Sequence, residues 1–192
     1  MIQNKNIAGI VLSGGKSSRM GTEKGLVKWN GKPLIEYSIH CLQEICDQIV
    51  ISSNKDCYND YGLQVIEDEI KDCGPIGGIY SVMKAINADY YMVISCDVPK
   101  VPSQLFVDLL ENIVDADMIY AVDESGKKQP LVAIYKSSCR DIIGEELRNG
   151  KYKMMKLLQL FCSKGFLISK GLNYYSADML SNVNSPGELN QL

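Results

Sequence analysis

Three features of this chain predict an α/β fold: three layers around a mostly parallel, mixed sheet. Short apolar runs alternate with segments whose apolar residues recur at three- and four-residue spacing, the pattern of successive βαβ units. A loop rich in glycine and cations, Gly14 to Lys24, follows the first apolar run directly. Candidate chemical residues, Asp68 and Asp97 among them, fall where later runs end, and ligands of open α/β sheets bind at those carboxyl ends.

The elements follow in order. Ile7–Leu12 reads as a buried first strand. Pro33 opens a helix running to about Cys46, with Leu34, Ile35, Ser38, Ile39, Leu42 and Ile45 tracing one face. Gln48–Ser52 and Leu63–Glu67 are the second and third strands. After the Gly74-Pro75 turn, Ile79, Val82, Met83 and Ile86 line one side of a helix over 76–86. Tyr90–Cys96 is a continuous apolar strand, expected near the centre of the sheet. Pro102 and Ser103 start a helix through Val114. Met118–Val122 and Leu131–Tyr135 flank the polar turn Asp123–Gln129 and read as a hairpin, so strand directions should mix in the second half. Cys139–Arg148 and Tyr152–Phe161 are helices divided by Asn149-Gly150. A short strand near Phe166–Ser169 precedes a terminal turn at Pro186.

The 192 residues show no repeat, low-complexity tract or linker, so a single domain over 1–192 is expected. At 46% hydrophobic residues the chain can bury a sizeable core. A net charge of -3 argues against nucleic-acid binding, which needs a broad basic face. No signal peptide opens the chain and no apolar stretch is long enough to span a membrane, so a soluble, cytoplasmic protein is expected. Its seven cysteines form no C-x-x-C pair, and His40 is the single histidine. Zinc or a disulfide framework is therefore not expected, and buried reduced thiols are.

The glycine loop carries the strongest functional signal. Gly14, Gly15 and Gly21 free the backbone to approach a ligand, and successive N–H groups in such a loop converge on anions. Lys16, Arg19 and Lys24 add positive charge, although Lys16 could simply be solvated. The spacing is neither the Walker pattern, since Ile10 stands where its first glycine belongs, nor G-x-G-x-x-G. A phosphate cradle on an acidic protein suits a small anionic ligand. Asp97, held at the sheet rim before Pro99, suits Mg²⁺, which takes one or two carboxylates plus substrate phosphates. From position alone, Asp97 could instead cap the next helix or pair with a lysine. Lys24 is placed to stabilise charge developing on a transferring phosphoryl group, and Arg19 to hold the departing phosphates. Ser52, Ser53 and Asn54, with Asp68, lie where a base and ribose would sit. Gly77 and Gly78 open a helix whose N-terminus attracts anions, or serve only as a structural turn. Lys151, Lys153 and Lys156 fit a solvated helix face better than a phosphate site. His40 and Trp29 carry no clear signal.

Leu12-x-Gly-Gly-x-Ser-x-Arg-Met-Gly-x-x-Lys24 resembles the N-terminal signature of the molybdenum cofactor guanylyltransferases. The resemblance continues through Gly31-Lys32-Pro33-Leu34, Val65-Ile66-Glu67-Asp68, Gly74-Pro75-Ile76-Gly77-Gly78, Cys96-Asp97-Val98-Pro99 and Asn182-Val183-Asn184-Ser185-Pro186. It implies a Rossmann-like nucleotidyltransferase fold and an Mg²⁺-dependent transfer of GMP from GTP to the phosphate of Mo-molybdopterin. By the same resemblance, Leu12, Ser13, Gly14 and Lys24 contact the nucleotide, with Gly15 in the same loop. Asp97 binds metal and nucleotide, and Asp68 binds the nucleotide. Asn182 and Asn184 lie toward the pterin substrate. Two positions depart from the family. Glu23 replaces an aspartate, and Ser52 stands where the family has a nucleotide-contacting asparagine, a role Asn54 could assume from the same strand face. Transient contact with proteins that insert or accept the cofactor is also implied.

Two other functions fit parts of this pattern. A cytidylyl- or sugar-phosphate nucleotidylyltransferase would use the same loop, but Asn182 to Pro186 favours the molybdenum branch. A non-catalytic nucleotide or cofactor binder would not need both Lys24 and Asp97, since pure binding makes no demand for stabilising developing charge.

Overall fold

The computed structural model describes residues 5–14 and 23–183. Strand β1 is Ile7–Leu12, and its apolar run is buried throughout. Side chains alternate across a strand, so Ala8, Ile10 and Leu12 enter one apolar layer while Ile7 and Val11 enter the other. Gly9 faces the second layer, where a Cβ would come within 3.0 Å of Leu42 and 3.1 Å of Cys46. Helix α1 therefore lies close against β1.

A short hairpin, β2 (Lys28–Trp29) and β3 (Lys32–Pro33), precedes α1 (Leu34–Gln43). Its corner is Asn30-Gly31, with φ of 47° and 82°, the paired positive values of a type I′ turn. Strands β4 (Gln48–Ser52), β5 (Gln64–Ile66) and β6 (Tyr90–Ser95) follow, with α2 (Pro75–Ala85) between the last two. Then come α3 (Ser103–Asn112), β7 (Met118–Val122), β8 (Lys128–Lys136), α4 (Cys139–Arg148), α5 (Met154–Leu157) and β9 (Ser163–Leu167).

The main sheet has seven strands in the order β5-β4-β1-β6-β8-β7-β9. Only β8 runs against the others, antiparallel to both β6 and β7. Helices α1 and α3 pack their Ile35, Leu42, Leu105, Phe106 and Leu109 on one face. Helices α2 and α4 cover the other with Ile76, Ile79, Val82, Ile143 and Leu147. The result is the expected three-layer α/β architecture with a mostly parallel, mixed sheet.

Two segments after α4 differ from the sequence expectation. The helix expected over Tyr152–Phe161 contracts to the single turn of α5. Leu157, Leu158 and Phe161 are buried, but Met155 and Leu160 face solvent, and the chain must turn to bring Ser163 beside Met118. The last strand begins three residues before Phe166, because β9 is an edge strand whose Ser163, Lys164 and Gly165 need no apolar pattern. The terminal turn at Pro186 lies outside the described residues. No described helix is long and apolar enough to cross a membrane.

Register decides where the chemistry sits. Leu12 pairs with both Ser52 and Ser95, and Ser52 pairs with Ile66, so four parallel strands end in one row. Strand order also reverses across β1, the arrangement that opens a crevice at the carboxyl edge.

Candidate active site

Just past that row the chain delivers its polar residues. The backbone first extends the sheet: Ser13 N–H donates to the Ser52 carbonyl (3.0 Å), Ser53 N–H to Ile66 (3.0 Å) and Cys96 N–H to Leu12 (3.0 Å). Ser13 is thus committed to the protein through its amide. Its buried hydroxyl meets the Cys96 Sγ at 3.6 Å. Gly14 is the first residue past the strand whose would-be Cβ has nothing within 4 Å among the described residues. Gly15, Lys16 and Arg19 lie outside the described residues.

From Glu23 the chain makes a 3₁₀ turn over Lys24–Leu26. Glu23, the residue that replaces aspartate, holds Lys55 at 3.4 Å. Gly25 is buried and fits only because it lacks a side chain. A Cβ there would stand 2.5 Å from Ser13 Oγ and 2.8 Å from the hydroxyl of the fully buried Tyr58. This close seat fixes the turn that carries Lys24.

Lys24 Nζ donates to Asp97 Oδ2 at 2.7 Å, and Asn182 Nδ2 donates to the same oxygen at 3.0 Å. The lysine and aspartate side chains are 22% and 12% exposed, so their pairing is stronger than that of a surface bridge. Asp97 also anchors the C-terminal segment through its backbone, because Val183 N–H donates to its carbonyl at 2.8 Å. Three stretches remote in sequence therefore meet on one carboxylate. Of the two open positional readings of Asp97, lysine pairing is what the structure contains. The partner Asn184 lies outside the described residues.

Asp97 Oδ1 is buried and, among the described residues, has no hydrogen-bond donor. A buried, unpartnered carboxylate oxygen is costly unless something else occupies it. Among the described residues no group of three or more His, Cys, Asp or Glu could enclose a metal. One open carboxylate oxygen fits Mg²⁺ well, since that ion keeps waters and binds through one or two carboxylates plus substrate phosphates.

The second polar group forms beside the ends of β4 and β5. Asn54 Nδ2 donates to Asp68 Oδ2 (2.9 Å), and Asp68 N–H donates to Asn54 Oδ1 (2.9 Å). Lys71 Nζ joins at 3.0 Å from the same Asn54 oxygen. Partial burial raises the Asp68 carboxyl above its ordinary range, and the Asn54 bond and Lys71 charge draw it partly back. Ser52 is nearly fully buried and turned toward α2. Asn54 is exposed at the rim. The aspartate thus has an asparagine partner, supplied from position 54.

Gly77 and Gly78 lie in the first turn of α2 and are both buried. A Cβ on Gly78 would fall 2.3 Å from Ser52 Oγ, 3.2 Å from Asp68 Oδ1 and 3.3 Å from Leu12 Cδ2. On Gly77 it would meet Cys73 Cβ and the Ile70 carbonyl at 3.1 Å. The missing side chains are what let α2 press against the ends of β1 and β4. Lys151 and Lys153 precede the single turn of α5 rather than lying on a helix face, and Lys151 pairs with Glu146 at 3.1 Å.

Trp29, without a clear signal in the sequence, has defined partners in the structure. Its ring lies 5.0 Å from Tyr37, its carbonyl accepts the Tyr37 hydroxyl at 2.7 Å, and Lys100 Nζ sits 5.6 Å from the ring centroid. Asn30-Gly31, the strongest short hairpin signal, could have located this turn in advance.

The chain is similar to known proteins along most of its length. The MobA-like NTP transferase domain matches residues 9–164. A probable molybdenum cofactor guanylyltransferase of Flavobacterium johnsoniae is 33% identical over 182 residues, covering 95% of this chain and 94% of its own length. Another, from Clostridium perfringens, is 37% identical over 155 residues, covering 80% of this chain and 78% of the relative. The crystal structure of molybdopterin-guanine dinucleotide biosynthesis protein A from Archaeoglobus fulgidus superposes with a TM-score of 0.81. It covers 96% of this chain and 95% of that one, and at 23% identity the likeness speaks to the fold.

Proposed function

The chain belongs to the MobA-like NTP transferase family and is a nucleotidyltransferase of the molybdenum cofactor guanylyltransferase type; from that premise we propose that it transfers GMP from GTP to the terminal phosphate of Mo-molybdopterin. The acceptor phosphate oxygen forms a bond to the α-phosphorus. The bond from that phosphorus to the oxygen bridging the α- and β-phosphates breaks, and pyrophosphate leaves with the electron pair. The acceptor is already anionic, so no covalent enzyme nucleophile or general base is required.

The observation that carries this reading is the meeting of Lys24, Asp97 and Asn182 at the carboxyl edge of the sheet. Bringing two polyanions together is the main obstacle. Lys24 is an ammonium held in a fixed place, and it stabilises charge on the α-phosphate without moving far from Asp97. Arg19 grips the departing phosphates. Leu12, Gly14 and Gly15 line the triphosphate, and Asn54 with Asp68 holds the ribose and base, Ser52 bracing them from beneath. Asn182 and Asn184 face the acceptor. Gly77 and Gly78 let α2 bring its N-terminal end close to it. Asp97 Oδ1 would hold Mg²⁺, which when bound supplies Lewis-acid charge to phosphate oxygens. The protein's own contribution is proximity and fixed charge.

Calorimetric titration with GTP, CTP, ATP and UTP, each with Mg²⁺, tests the reading. A clear preference for GTP is expected. Preference for CTP would keep the chemistry and overturn the product.

A further inference from the structure

A second cluster repeats the connectivity of the first. Lys24, Asp97 and Asn182 come from three separate stretches, and Trp29, Lys100 and Asp178 come from those same stretches, each within five residues of its counterpart. Lys100 is the hub here as Asp97 is there: its Nζ lies 5.6 Å from the Trp29 ring centroid and is ion-paired with the Asp178 carboxylate. The Lys100 side chain is only 18% exposed. Trp29 is itself braced on α1 by Tyr37. Asp178 also accepts from Ser176 Oγ, and its carbonyl receives the Ser181 N–H at 2.9 Å, so the clasped residue leads by a tight turn into Asn182.

We propose that Lys100 is a positioning residue: by clasping Asp178 and Trp29 it holds the segment bearing Asn182 against the segment bearing Asp97, and so orders the acceptor side of the site. The assignment rests on the function proposed above. Met179, Leu180 and Val183 are buried, so the segment keeps its apolar anchorage when the clasp is lost. Loosening, rather than release, is the consequence. GTP binding, whose base and ribose contacts are assigned to Asn54 and Asp68 on the other rim, should change little.

The test uses the full chain as Lys100→Met, Lys100→Arg, Asp178→Asn and the Met/Asn double variant. Kinetics with GTP and Mo-molybdopterin are read beside GTP affinity and amide exchange. Lys100→Met is expected to lower kcat/KM for the acceptor by about fivefold to tenfold, the scale of losing a partly screened ion pair together with a cation–π contact, and Asp178→Asn, which leaves the Trp29 contact in place, by about twofold to fivefold. GTP Kd should stay within about twofold, Lys100→Arg should recover most of the loss, and the double variant should be little worse than Lys100→Met. Exchange at the Val183 amide should rise by a similar factor while that of Ile94 is unchanged. Unaltered Val183 exchange, additive losses, or a parallel fall in GTP affinity would each overturn the proposal. If Lys100→Met does not fold, the near-isosteric Asp178→Asn decides. If the wild type fails to use the acceptor, the functional reading fails, and Val183 exchange still tests the clasp.

Discussion

Gly78→Ala puts the packing of the nucleotide rim to a quantitative test, because two opposed effects of known size meet at one atom. In a helix, alanine is favoured over glycine by about 1 kcal/mol. Against this, the added Cβ would stand 2.3 Å from Ser52 Oγ, with Asp68 Oδ1 at 3.2 Å and Leu12 Cδ2 at 3.3 Å. Ser52 is 4% exposed and Leu12 8%, so neither can withdraw into solvent. Overpacking of a close-packed site costs roughly 1–3 kcal/mol, and an overlap at 2.3 Å with neighbours that cannot withdraw belongs at about 2–3 kcal/mol. The clash therefore wins, and a net loss of about 1–2 kcal/mol is expected, with weaker GTP binding because Asp68 is pushed from its bond with Asn54. Urea unfolding followed at constant m-value reads the first effect, and calorimetry the second. Adding Ser52→Ala removes the closest contact and should restore at least half of the lost stability, a coupling beyond simple additivity. Gly78→Ala that is neutral or stabilising, or a double variant whose losses add, would refute the packing argument.

Further outcomes follow from the same geometry. Asp97→Asn keeps the shape but removes the charge that Lys24 and a metal share, and turnover should fall at least about a hundredfold while GTP binding weakens less. Gly25→Ala would drive a Cβ against Ser13 and the immobile Tyr58, shift the Lys24 turn, and cut kcat by more than tenfold, on the scale of misplacing a catalytic group by an ångström. Burial pushes the Cys41, Cys46 and Cys139 thiols up to about 12 and Cys96 to about 11, so mass spectrometry after alkylation near pH 8 should find label only on exposed Cys57 and Cys162. Because those buried thiols stay neutral after unfolded ones ionise near 9.0, their contribution to stability is intact below pH 9 and is withdrawn as pH rises toward 12. Tm should fall steeply across that window.

The sequence was most informative where burial dictates residue type on both faces. Strands β1, β4 and β6 are continuous apolar runs because parallel central strands are covered on either side, and their limits read off almost to the residue. The antiparallel half was harder. In β8, Pro130 lacks an N–H and sits where the pairing shifts from Tyr120–Ala133 to Ala121–Gln129, so polar Lys128 and Gln129 read as turn although they pair with β7. At the site, individual candidate residues could be named from the sequence, but their partners could not. That Lys24 and Asn182 share one oxygen of Asp97 depends on three-dimensional closure of segments far apart in the chain. The same holds for Asn54, whose pairing with Asp68 emerges only when β4 and β5 align. Gly78 illustrates the converse: its glycine signal was plain, but helix–strand contact, visible only after folding, accounts for it.

Acceptor-dependent release of pyrophosphate from each of the four nucleoside triphosphates, measured with the wild type and Asp97→Asn in Mg²⁺, tests the central claim most directly. Rapid release from GTP alone, requiring Mo-molybdopterin and lost in Asp97→Asn, is the predicted result. Release that is independent of the acceptor, equal for all four nucleotides, or preserved in Asp97→Asn would contradict it.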